Sequence, residues 1–262
     1  MKKNKVYIVL IAVVIIFLLV MFLLFGFDEL KKESYDTTIV VGDDTLWVYS
    51  NKNWSRVTKY DQFNWKKFDV YNNDVYNNNE KIGNYYLWYS KKWYVFDDNK
   101  EAVLTDGDIL GVSANYDIPV YNHSISEIDD YSYVYDILED NDLPTSSKFT
   151  SNYKAILDFD NDGIEEEFYV ISNAFPMDFN PTKIFSIVFM VKDEKIYPIY
   201  TNISKNSGFN GCKPYFSSFI DVDEDSKYEV ILSCAKYSTS SVSRLLYKFN
   251  DKEFKILISN NK

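Results

Sequence analysis

The sequence predicts a mainly β protein, propeller-like antiparallel β-sheet repeats with one short linking helix, preceded by one N-terminal transmembrane helix. Three observations predict it. An uninterrupted apolar run, Val6 to Phe27, stands near the start of the chain. After it, short stretches rich in Val, Ile, Tyr, Phe and Trp alternate with clusters of Asn, Asp, Gly and Ser, as strands alternate with turns. Two acidic loops of matching spacing, beginning at Asp158 and Asp221, each lie between such stretches.

The apolar run VYIVLIAVVIIFLLVMFLLFGF is 22 residues long and carries no charge. At ~1.5 Å rise per residue, a helix of that length spans a hydrocarbon core of ~30 Å. A buried helix of a soluble domain usually keeps a polar stripe, and this run has none. Lys2, Lys3 and Lys5 precede it and Lys31 and Lys32 follow it, a bias that puts the N-terminus inside and the remainder outside. The run exceeds a signal peptide's apolar region and ends without an A-x-A site. No Cys directly follows it, which excludes a lipoprotein signal. The expectation is an uncleaved signal anchor in the cell membrane, single-pass, with an extracellular C-terminal part. The expected divisions are 1–27 for tail and anchor, 28–123 for a Trp-rich β domain, 124–150 for a linking helix and loop, and 151–262 for β repeats.

Charge narrows the partners. The chain carries −11, and setting aside Lys2, Lys3 and Lys5 leaves the outer part near −14. Nucleic acid is excluded as a partner, because phosphate contacts need a basic face. An acidic surface tolerates bound cations.

Eight runs read as strands: Thr38–Val41, Thr45–Ser50, Tyr85–Ser90, Lys92–Phe96, Glu167–Ser172, Phe185–Val191, Tyr228–Cys234 and Ser243–Phe249. All five tryptophans, Trp47, Trp54, Trp65, Trp88 and Trp93, fall in the first half. There LWVYSNKNWSRV and LWYSKKWYVF look alike at a spacing of 41 residues, two copies of one strand-turn-strand unit with a period typical of propeller blades. Ser124-Ile-Ser-Glu127 has the form of a capping box, with Ile128, Tyr131, Val134, Tyr135 and Leu138 following at helical spacing, so a helix is expected from about Ile125 to Glu139. The two cysteines, Cys212 and Cys234, flank a turn near Glu224. Paired in a hairpin they would lie almost opposite each other, as a disulfide or as two buried thiols. There is no CxxC pattern for zinc, and His123 is the chain's one histidine.

The strongest chemical signal is Asp158-Phe-Asp160-Asn-Asp162-Gly163-Ile-Glu-Glu166. Alternate carboxylates of a tight loop converge on one point, and a hard cation such as Ca²⁺ takes six to eight oxygen ligands. Gly163 permits the sharp turn. An EF-hand would need Glu at the twelfth position, which is Tyr169. The loop is therefore a strand-loop-strand site. Asp221-Val-Asp223-Glu-Asp225-Ser226-Lys-Tyr-Glu229 repeats the three aspartates and the ninth-position acid, with Ser226 in place of glycine. Asp-rich turns that merely hydrogen-bond their own backbone amides look the same in sequence.

The pair resembles the FG-GAP/VCBS-type repeats of integrin-like β-propellers over roughly residues 153–258. The resemblance implies a structural Ca²⁺ held by Asp158, Asp160, Asp162, Glu166 and the Ile164 carbonyl. In the second loop it implies Asp221, Asp223, Asp225 and Glu229, with Ser226 and Lys227 departing from the pattern.

No GxSxG, HExxH or Walker A motif is present. The function expected is a membrane-anchored extracellular binding or adhesion module with calcium-stabilised β repeats, its protein or glycan ligand open. The tryptophans could stack on sugar rings or fill cores. The alternatives are an accessory or sensory ectodomain acting on a membrane partner, and a surface carbohydrate-active enzyme.

Overall fold

The computed structural model describes residues 37–42, 44–60, 63–72, 81–90, 92–103, 109–113, 124–174, 183–204, 212–236 and 241–260. The Val6–Phe27 run, with the anchor and orientation read from it, lies outside these residues, and so does His123. Among the described residues no helix is long and apolar enough to cross a membrane.

Three antiparallel sheets account for nearly all of the structure. The first joins β1 (Thr37–Val41), β2 (Thr45–Ser50), β3 (Asn53–Arg56), β4 (Lys66–Asn72), β5 (Lys81–Ser90), β6 (Lys92–Phe96), β7 (Ala102–Val103) and β8 (Ile109–Ser113) in the order β3-β2-β1-β8-β4-β5-β6-β7. A second sheet has β9 (Ser124–Glu127), β10 (Ser151–Leu157), β11 (Glu166–Ser172), β12 (Ile184–Lys192) and β13 (Lys195–Ser204) in the order β13-β12-β11-β10-β9. In the third, β14 (Cys212–Ile220), β15 (Glu229–Lys236), β16 (Val242–Phe249) and β17 (Phe254–Ser259) follow in sequence. All eight strand runs read from the sequence fall in strands, with Tyr228 just ahead of β15. Each sheet is open, so among the described residues none closes into a barrel.

The sheets stack face to face, because successive side chains of a strand point to opposite faces. Ile39, Val41, Trp47, Leu110 and Val112 of the eight-stranded sheet bury against Ile220, Val222, Ile231 and Leu246 of the β14–β17 sheet. The other face of the β14–β17 sheet, with Phe219, Val230, Leu232, Leu245 and Tyr247, packs on Leu157, Phe168, Val170, Val188 and Met190 of the β9–β13 sheet. The outer face of the β9–β13 sheet receives a helix, α1 (Ser132–Asp140), through Val134, Ile137 and Leu138. Val40, Leu46, Phe68, Val70, Leu87, Trp93 and Val95 form a fourth cluster on the remaining face of the first sheet.

The two Trp-containing units are both hairpins, β2–β3 and β5–β6. Each sets a tyrosine before the turn opposite a tryptophan after it, Tyr49 against Trp54 and Tyr89 against Trp93, with ring centroids 5.1 Å apart in both.

The helix departs from expectation at its start. Ser124–Glu127 is not a capping box but the edge strand β9, paired to β10 through Tyr153↔Glu127 and Ala155↔Ile125. The open edge of β10 satisfies these backbone groups along a whole strand, where a cap satisfies two. The helix begins only at Ser132, whose N–H donates to Asp130 Oδ1 at 2.9 Å. Tyr135, expected on the buried stripe, is 44% exposed.

The structure joins Cys212 to Cys234, Cα atoms 5.4 Å apart, across the β14–β15 hairpin. They are diagonal rather than opposite neighbours, because Cys234 faces Pro214 and Cys212 faces Lys236.

Candidate functional site

The two acidic loops occupy equivalent places, one between β10 and β11 and the other between β14 and β15. Their backbones match at the positions that need left-handed conformation. Asn161 and Glu224, at the fourth position, have φ of 55° and 57°; Gly163 and Ser226, at the sixth, have 87° and 66°. Asn tolerates this region and Gly occupies it freely, whereas Glu and Ser do so at a steric cost.

The hydrogen bonds match atom for atom. The first Asp accepts two backbone N–H bonds: Asp158 from Asp162 and Gly163, both at 3.0 Å, and Asp221 from Asp225 at 3.2 Å and Ser226 at 3.0 Å. The fifth-position Asp accepts from the seventh residue, Asp162 from Ile164 N–H at 2.8 Å and Asp225 from Lys227 N–H at 3.0 Å. The ninth-position Glu reaches back to the second N–H, Glu166 to Phe159 at 2.8 Å and Glu229 to Val222 at 2.9 Å. The second residue of each loop is buried, Phe159 between the β9–β13 and β14–β17 sheets and Val222 between the β14–β17 sheet and the first sheet. The loops also touch each other, through Asn161 Nδ2–H to the Ser226 carbonyl at 2.8 Å and Tyr228 N–H to the Phe159 carbonyl at 3.1 Å.

Carboxylate oxygens converge as the spacing suggests. Asp158, Asp160 and Glu166 form one group and Asp221, Asp223 and Asp225 another, with ligand atoms within 4.8 Å of one another in each. Asp162 and Glu229 stand outside these groups, but each contacts an ammonium that also meets members of its own group. Lys192 Nζ donates to Asp160 at 3.0 Å, Asp162 at 3.1 Å and Glu166 at 2.5 Å. Lys248 Nζ donates to Asp223 at 2.6 Å, Asp225 at 2.7 Å and Glu229 at 3.1 Å. Thus in each loop the third, fifth and ninth positions share one lysine, Lys192 in the first and Lys248 in the second. Ile164 turns its side chain to solvent, 62% exposed, and Lys227 pairs with Asp251 at 2.5 Å.

Sequence reasoning did not single out Lys192 and Lys248. Each is a cation at the polar end of an apolar run, SIVFMVK and LLYK. Each lies one residue past a pair that fixes its register: Glu167↔Val191 puts Lys192 beside Glu166, and Val230↔Tyr247 puts Lys248 beside Glu229. That recurrence was the available signal.

The electrostatics follow from burial. Glu229, with a side chain 1% exposed, is pushed up to about 8 by burial, opposed by the Val222 N–H and the Lys248 ammonium. Burial likewise raises Glu166, and Lys192 opposes it. Burial lowers both lysines, but their carboxylate bonds more than reverse that, and both end above the ordinary lysine range.

A hard cation suits this donor set, and the same oxygens also meet the donors of the loop and of a lysine. Asp158 and Asp221 accept backbone amides, and the carboxylates of the third, fifth and ninth positions surround an ammonium with three N–H donors.

A second feature lies on the first sheet. Trp47 and Trp93 are core residues, but Trp65 is 44% and Tyr94 37% exposed, with Trp88 and Phe96 half-buried beside them. Ring centroids are 5.1 Å apart for Trp65–Phe96 and 6.0 Å for Trp88–Tyr94. Trp65 has φ of 61°, which an aromatic residue adopts only under constraint; its N–H donates to the Leu87 carbonyl at 2.8 Å. Lys100 and Lys92 lie over Trp65 and Tyr94, 5.6 and 5.4 Å from the ring centroids.

No protein-family model matches the chain, no curated protein matches it, and no solved structure matches it.

Proposed function

We propose that this protein is a membrane-anchored extracellular binding or adhesion module whose propeller-like, face-stacked sheets present an aromatic strip to a glycan. The observation that carries the reading is the strip itself: Trp65, Trp88, Tyr94 and Phe96 side by side and partly open to water. Contiguous exposed apolar surface marks an interaction site. The electron-rich face of an indole or phenol ring attracts polarised C–H groups such as those of a sugar ring. Lys92 and Lys100 add donors at its border for hydroxyl or carboxylate oxygens. The apolar run Val6–Phe27 supports the anchor.

Retention of the full-length protein, held in nanodiscs, on purified cell-wall glycan tests this. The Trp65→Ala/Trp88→Ala variant is expected to bind about 30-fold more weakly, roughly 2 kcal/mol for an anchor residue, with an unchanged melting temperature. Equal retention of both proteins would defeat the reading. Capture of one specific membrane protein, with no glycan retained, would favour an accessory ectodomain instead.

A further inference from the structure

We infer that Lys192 and Lys248 are built-in cations: each ammonium closes its acidic loop in the place of a divalent metal, so both loops hold their shape without calcium.

Three observations carry this. First, the ammonium bonds to three of the four side chains a metal would take, Asp160, Asp162 and Glu166 around Lys192. An ammonium has three N–H donors and no acceptor, so three carboxylates satisfy it fully. Second, the arrangement occurs twice. Lys248 contacts the third, fifth and ninth positions of its own loop, from a strand in the same cross-strand register to the ninth-position Glu. One such contact could be a surface ion pair; the same three-pronged contact in two loops 63 residues apart is a repeated design. Third, the lysine side chains are only 15% and 25% exposed, and the ninth-position carboxylates they meet 1% exposed. A buried carboxyl group is costly without a hydrogen-bond partner, and the strand supplies one. A calcium ion entering either loop would have to expel a cation bonded to three of the carboxylates it needs.

The consequence is a protein whose sheets do not loosen when external calcium falls. The test is melting of the full-length protein in detergent with EDTA and with millimolar CaCl₂, alongside calcium calorimetry, for the wild type, Lys192→Met and Lys248→Met. The wild type is expected to melt at the same temperature in both buffers and to give no calcium heat. Each variant is expected to melt lower in EDTA and to recover part of the loss with calcium, because the freed carboxylates then form an open hard-cation site. Should a methionine variant not fold, Lys192→Met/Asp160→Asn removes a charge from each side, and it is expected to fold with little calcium response. A wild type stabilised by calcium and weakened by EDTA would overturn the inference, as would methionine variants as stable as wild type in EDTA.

Discussion

Gly42 is the residue at which backbone and packing demands coincide. It follows β1 with φ of 59°, and a Cβ there would stand 1.8 Å from Arg244 Nη2. Arg244 is 2% exposed. From β16 it crosses to the first sheet and donates to Asp44 Oδ1 at 2.7 Å. A methyl group at position 42 must therefore displace a buried guanidinium as well as impose left-handed backbone. Gly163 has φ of 87° but nothing within 4 Å of a Cβ. The two substitutions separate the effects. Gly163→Ala is expected to cost about 1–2 kcal/mol, the backbone term alone. Gly42→Ala is expected to cost about 3 kcal/mol or more, because a displaced buried charge adds to it. Urea denaturation of both variants measures the difference; equal losses would mean that Arg244 yields freely.

At the scale of elements, strands were legible and cations were not. Strands such as Phe185–Val191 announce themselves by β-branched and aromatic content, a property of each segment alone. The acidic loops were legible for the same reason: Asp158, Asp160, Asp162 and Glu166 are close in sequence, and their backbone bonds are local. Lys192 lies 26 residues beyond Glu166, and only the register of β11 on β12 brings them together. The Ser124–Glu127 segment was misread because a capping pattern describes local options, while the edge of β10 that claims it is set by tertiary pairing. The loop element also carries a pH dependence. Glu229 titrates near 8 in the folded chain and near 4.3 unfolded. The native state therefore holds the extra proton, and Glu229's contribution to stability is fully present below about pH 4.3 and is lost as pH rises through about 8. The wild type is expected to show a falling midpoint in this window. Glu229→Gln, which keeps the Val222 N–H acceptor and cannot ionise, is expected to flatten it. Parallel slopes for the two proteins would remove Glu229 as the source.

Across the whole molecule, the Trp-rich half and the acidic-loop half share one core. Trp47 and Ile231 belong to the same buried cluster although they come from different sheets. Arg56 Nη1–H to the Asn260 carbonyl at 3.1 Å and Asn260 Nδ2–H to Thr45 Oγ1 at 3.0 Å tie the same two sheets at their edge. If Trp47, Leu110 and Val112 separated from Ile220, Val222 and Ile231, each sheet would expose a fully buried face. The cost of that face, at about 25 cal/mol per Å² of apolar surface, exceeds what either sheet could recover alone, so the halves are expected to unfold together. The distribution of tryptophan makes this measurable. All five lie between residues 47 and 93, so intrinsic fluorescence follows the first sheet, whereas far-ultraviolet circular dichroism follows every strand. The two urea transitions are expected to coincide. Ile231→Ala, which removes buried methyl groups from a sheet without tryptophan, is expected to cost about 2–4 kcal/mol and to lower the fluorescence midpoint as much as the dichroism midpoint. A fluorescence transition that ignores this substitution would show that the sheets melt separately and that the shared cluster contributes little to holding them.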